Sequence, residues 1–123
     1  MKGTILAGTF LTGSFVENLV NLPNVDDLIA IELTGPDNTR AIIENKPGSQ
    51  GSLRLYRHLL TKYGVINAAA AAEGLALYAE HTQDARQNPG KHPNIDRLLA
   101  IEASGGGVWF GVQAEAHAGF KNQ

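Results

Sequence analysis

The stretch from Glu80 to Arg97, EHTQDARQNPGKHPNIDR, is the densest run of titratable side chains in the chain and holds two of its four histidines. His81 and Asp84 stand three apart, a spacing that puts both side chains on one face of a helix. His92 and Asp96 follow beyond Pro89-Gly90. Imidazole nitrogens and carboxylate oxygens together suit zinc, manganese or iron. The same groups suit acid–base work, because histidine titrates near neutral pH. Neither H-E-x-x-H nor the H-x-D spacing of a facial triad occurs, so no metal is assigned and the cofactor stays open. A polar helix end running into an exposed Pro/Gly loop accounts for these residues without any chemistry. His81, Asp84, His92 and Asp96 are catalytic candidates that spacing alone does not decide.

A second candidate is the loop NKPGSQGS, Asn45 to Ser52, which opens onto a helix. Free backbone N–H groups at a helix start attract anions, and Lys46 adds a charge. The pattern is neither a Walker A loop nor a dinucleotide fingerprint. Lys46, Gly48, Ser49, Gly51 and Ser52 are the residues expected to hold a small anionic ligand. The plain alternative is a strand-to-helix connection capped by Ser49 or Ser52. Arg54, Arg57, His58 and Lys62 form a basic helix face that Lys46 extends. Tyr56 and Tyr63 belong to the apolar stripe of that helix and are not free to stack on bases, so nucleic acid is not expected. No G-x-S-x-G elbow is present and no Ser/His/Asp triad can be assigned by spacing.

Composition narrows the field further. The 123 residues contain no cysteine, which excludes disulfides, thiol catalysis and thiolate-ligated metals. A formal charge of −2 gives no general attraction for polyanions. No run approaches the length of a membrane span or a secretory signal, so a cytoplasmic protein of one domain is expected.

The elements that must position these loops repeat. PNVDDLIAIELTG (Pro23 to Gly35) and PNIDRLLAIEASG (Pro93 to Gly105) match at eight of thirteen positions at an offset of 70. Each copy reads as a turn, an alternating strand, a glycine-bearing turn and a second β run. The reading is an internal duplication over residues 23–44 and 93–115, each copy a β-hairpin. Glu32 and Glu102 then occupy equivalent places, where facing carboxylates would shift each other's pKa. Alternation puts them on the solvent side instead. Trp109 and Phe110 are neighbours on a strand and point to opposite faces.

Helices are expected from Ser14 to about Leu22, where Ser14 and Glu17 make a capping box, over Ser52 to Tyr63 with Gly64 as its stop, and from Asn67 to about Gln87. The long helix should bury Ala71, Leu75, Tyr78 and Thr82, with Gly74 allowing close approach. The fold class is α+β: an antiparallel sheet of two duplicated hairpins with about three helices on one face. Thr4 to Thr12 is expected as an edge strand or as an arm reaching a second subunit.

NKPGSQGSL (Asn45 to Leu53) and AEHTQDARQNPGKHPNIDRL (Ala79 to Leu98) resemble the signatures of a small bacterial family known only as a domain of unknown function. The resemblance runs from about Phe15 to Val112 and implies a bacterial cytosolic protein, with no activity or cofactor attached. Taken together, the sequence points to a ligand-binding or assembly module that forms a homo-oligomer. The alternative is a small enzyme using the His/Asp cluster, with or without a divalent metal.

Overall fold

The computed structural model describes residues 13–104 and 107–115. The strand or arm expected at Thr4 to Thr12 lies outside them.

The chain enters through α1 (Phe15–Leu19), closed by the capping box its sequence announces. The Ser14 hydroxyl accepts the Glu17 N–H at 3.1 Å, and the Glu17 carboxylate accepts the Ser14 N–H at 2.9 Å. The helix stops short of Leu22. Arg54 donates to the carbonyls of Leu19, Leu22 and Pro23, which bends the chain out of α1 toward the sheet.

Strands β1 (Leu28–Thr34) and β2 (Arg40–Glu44) form an antiparallel hairpin with Ile31 opposite Ile43 and Leu33 opposite Ala41. Its turn holds Asp37 and Asn38 at φ 60, a region these short polar side chains tolerate. Strand β3 (Phe110–Glu115) pairs antiparallel on the other side of β1, so the sheet order is β2-β1-β3. Ile31, Leu33 and Ile43 turn toward the helices and are buried; Ile42, Phe110 and Val112 face away and are exposed.

Helix α2 (Gln50–Tyr63) packs Leu53, Leu55, Tyr56, Leu59 and Leu60 into the core and ends at Gly64, whose φ of 81 is left-handed. Beyond it lie α3 (Ala68–Tyr78) and α4 (Glu80–Gln87), where the sequence pattern reads as one helix. The break is at Ala79, with φ 55 and ψ −118. There the Thr82 hydroxyl takes the Leu75 carbonyl at 2.6 Å, the group a continuous helix would have bonded to Ala79. The expected buried face, Ala71, Leu75, Tyr78 and Thr82, is buried across the break. At Gly74 a Cβ would stand 2.7 Å from Leu98 and 2.9 Å from Leu59, so only glycine lets three helices meet there.

The second hairpin does not exist. Pro93–Ser104 is a helix, α5, burying Ile95, Leu98 and Ile101 along one stripe. Ile31 is therefore extended and Ile101 helical, and the sequence repeat is not a structural repeat. Proline suits the first helical position, and the His92 carbonyl starts the helix by accepting from Ile95 and Asp96. Short apolar runs satisfy both periodicities, and the groove at Gly74 selects the helix here. The carboxylates of Glu32 and Glu102 accordingly sit on unlike elements, and Glu102 pairs with Arg86 at 3.3 Å. The architecture is α+β with a three-stranded antiparallel sheet and five α-helices among the described residues. None of those helices is long and apolar enough to cross a membrane.

Candidate functional site

The two polar segments singled out in the sequence converge on one cleft of about 490 Å³. One wall is the strand-to-helix loop and the start of α2: Pro47, Gly48, Gln50, Gly51 and Ser52. The facing wall is His81 with the segment Lys91 to Ile95. Phe15, Leu19 and Tyr78 form an apolar floor between them.

Each wall is held from behind. Asn45 donates to the carbonyls of Val25 and Leu28 and accepts from Gln50, which ties the loop to the base of β1. Gly48 turns the loop at φ 96. At Gly51 a Cβ would press to 3.1 Å on the Phe15 ring, so glycine here lets α1 lie across the start of α2. Phe15 is fixed further by its N–H, which donates to Glu80 at 2.9 Å and holds that carboxyl below its ordinary pKa. The Phe15 ring stacks on Tyr78 at 5.2 Å and meets His81 edge-on at 5.1 Å.

Tyr78 donates to the Ser52 hydroxyl at 2.6 Å. Burial pushes the Tyr78 hydroxyl far above its usual pKa, so it remains a proton donor at every physiological pH. On the facing wall, Asp84 is bonded by His92 Nε2 at 2.6 Å and by the Lys91 ammonium at 2.9 Å, and these two hydrogen bonds drop its pKa to about 2. The His92 ring lies 5.8 Å from the His81 ring. With Nε2 engaged, Nδ1 is the His92 nitrogen that could act on a ligand.

The start of α5 is anchored to the core. Tyr56, its hydroxyl pushed up to about 12 by burial, donates to the Asn94 carbonyl at 2.6 Å. Arg97 donates to the same hydroxyl and lies over the Tyr56 and Trp109 rings.

Of the sequence candidates, His81, His92, Gly48, Gly51 and Ser52 line the cleft and Asp84 stands behind His92. Asp96 instead accepts the Gly90 N–H and shapes the loop. Lys46 pairs with Glu44 at 2.8 Å, and the Ser49 hydroxyl donates to the Glu44 carbonyl; neither reaches the cleft. Among the described residues no group of three or more His, Cys, Asp or Glu side chains is arranged to hold a metal. Sequence patterns did not single out Phe15, Tyr78 or Lys91 for this site. The first two read as core positions, and nothing local in the sequence links them.

The basic face of α2 is committed to holding the fold. Arg54 secures the exit of α1, and Arg57 forms a two-pronged pair with Asp27 at 2.6 and 2.9 Å. His58, Lys62 and Tyr63 all bond the buried carboxylate of Glu73 on α3. Burial alone would raise the Glu73 pKa, but these three bonds outweigh it and hold the carboxyl below its usual range. Trp109 covers Gly35, where a Cβ would come within 2.4 Å of its ring, and its neighbour Phe110 is exposed on the opposite face of the sheet.

Comparison with curated proteins and with solved structures finds no match. Residues 15–109, a span that includes both walls of the cleft, match the family model of uncharacterised proteins conserved in bacteria, DUF2322, and the chain belongs to that family.

Proposed function

We propose that this protein is a cytoplasmic ligand-binding or assembly module that acts as a homo-oligomer, and that its cleft takes a small anionic ligand with an apolar part. The observation that carries this reading is the chemistry of the lining. Among the described residues no aspartate or glutamate lines the cleft, whereas Lys91, His81, His92 and the amino end of α2 all do. The adjoining acids are engaged: Asp84 by His92 and Lys91, and Glu80 by the Phe15 N–H. A phosphate or carboxylate would meet N–H groups, the Ser52 hydroxyl, two imidazoles and the Lys91 ammonium on one side. Its apolar part would rest on Phe15, Leu19 and Tyr78.

The test is a thermal-shift titration with inorganic phosphate, simple carboxylates and phosphate-bearing metabolites at constant ionic strength. A ligand at ten times its Kd stabilises by about 1.4 kcal/mol. That stabilisation should fall away in Lys91→Ala and His81→Ala. An unshifted midpoint across the panel, or an equal shift in the variants, would refute the reading.

The Asp84–His92 pair favours a second reading, a small enzyme. A carboxylate bonded to one imidazole nitrogen orients the ring and supports a proton on it, which is the arrangement of a general base. This reading expects His92→Gln to abolish turnover of a bound ester or phosphate ester. Binding with no turnover in the wild-type protein would leave the first reading alone.

A further inference from the structure

The β2 edge is self-complementary. Pairs across the hairpin alternate, and the bonds from the Gly35 N–H to the Thr39 carbonyl and from the Asn45 N–H to the Ile29 carbonyl fix which residues of β2 face β1. Ala41 and Ile43 share that phase. Arg40, Ile42 and Glu44 therefore direct their backbone N–H and C=O groups outward, along the open edge of the sheet order β2-β1-β3. Their side chains share the face turned away from the helices, where Ile42 is 54% exposed. The spacing is symmetric: a cation two residues before Ile42 and an anion two residues after it. Among the described residues Arg40 has no ion-pair partner, while Glu44 pairs with Lys46 at the strand's end.

We infer that the β2 edge is the contact between two copies of this chain, joined antiparallel about a twofold axis through Ile42. This rests on the homo-oligomer reading above and assigns it a surface. The axis sets Ile42 against its counterpart and Arg40 against the partner copy's glutamate, twice over. Ile42 exchanges both backbone bonds with its mate, and each Glu44 N–H meets the carbonyl of the facing arginine. The Glu44 carbonyl is already occupied by the Lys46 N–H and the Ser49 hydroxyl, which leaves four backbone bonds. Opposite charges directly across antiparallel strands attract and like charges repel, so the register is specified as well as the partner. The opposite edge, β3, reads FGVQAE and has no such symmetry of charge. Two three-stranded sheets would thus become one of six strands.

A short edge makes a small, reversible interface, so sedimentation velocity is run from about 5 to 500 µM. The wild-type chain is expected to dimerise, and Arg40→Glu and Glu44→Arg are each expected to weaken the dimer at least tenfold. An equimolar mixture of those two variants restores a dimer, because each then presents the charges the other lacks. The double variant R40E/E44R restores it within one chain. Ile42→Pro removes an N–H that points away from β1; it should unfold cooperatively, as the wild type does, and remain monomeric. A wild type that stays monomeric throughout overturns both this inference and the homo-oligomer reading. A dimer indifferent to R40E and I42P overturns the edge alone, and so does a charge-swapped mixture that does not reassociate.

Discussion

Pro23–Thr34 and Pro93–Ser104 carry closely similar residues and adopt opposite backbones, yet they bury the same trio. Val25, Leu28 and Ile31 are 1%, 2% and 0% exposed; their counterparts Ile95, Leu98 and Ile101 are 2%, 0% and 2%. The spacing i, i+3, i+6 is a natural stripe on α5. On β1, strict alternation would send Leu28 and Ile31 to opposite faces. A bulge prevents this: Leu28 pairs with Glu115 and Ala30 with Ala114, so Ile29 is the extra residue and Leu28 returns to the core side. The pattern of burial was thus met twice by different means. What differs is the neighbourhood. β1 has Arg40–Glu44 within hairpin reach, whereas α5 lies against α3 where Gly74 leaves room for Leu98. The substitutions lean the same way, from Ile29, Leu33 and Thr34 to the better helix formers Leu99, Ala103 and Ser104.

The comparison is broken most directly at the paired leucines. Leu28→Ala and Leu98→Ala should each lower stability by about 2–5 kcal/mol in urea unfolding, since both side chains are enclosed. A large loss at one and none at the other would mean that the trio is not shared. Tyr56→Phe acts on the helical segment alone. It removes the bond to the Asn94 carbonyl and one of the two that Arg97 donates, the other going to the Asn94 side chain, and should cost about 0.5–1.5 kcal/mol. It should also weaken ligand stabilisation, because Asn94 lines the cleft.

Glu32 and Glu102 are equivalent in sequence and exposed in structure, so one substitution sharpens the contrast. Glu32→Thr should stabilise by about 0.5 kcal/mol in a central strand, and Glu102→Thr should destabilise by a similar amount in a helix. Equal signs from chemical denaturation would contradict the assignment of one strand and one helix. The narrowest effect is confined to acid. Asp84, which anchors the loop before α5, has its folded pKa lowered to about 2 from an ordinary 3.8. Its contribution is therefore complete above about pH 4 and is lost as pH falls through 2. The gap in melting temperature between wild type and Asp84→Asn should close over that window; a gap that persists at pH 2 would show that the pairs with His92 and Lys91 are not its source.

Much of the frame was legible because it depends on neighbours in sequence. The Ser14–Glu17 box, the Gly64 stop and the first hairpin follow from side chains that act within a few residues of themselves. The site was half legible. His81, His92, Gly51 and Ser52 stood out by type, but Lys46 and Ser49 turned out to serve Glu44. The break at Ala79 was not legible, because the apolar face from Ala71 to Thr82 continues through it. Nor was the helix at 93–104: a run with apolar residues at both two- and three-residue spacing fits either backbone.

By itself, then, the sequence determined where local caps and turns fall and which side chains carry donors and charge. Only the tertiary structure decided whether a repeated apolar run is wound or extended, and that two loops far apart in the chain face each other across Phe15 and Tyr78. The reason is physical. Burial rewards a side chain for being covered, whatever backbone delivers it, so the choice passes to the surfaces available to cover it: a β2 strand in one case, the Gly74 groove in the other.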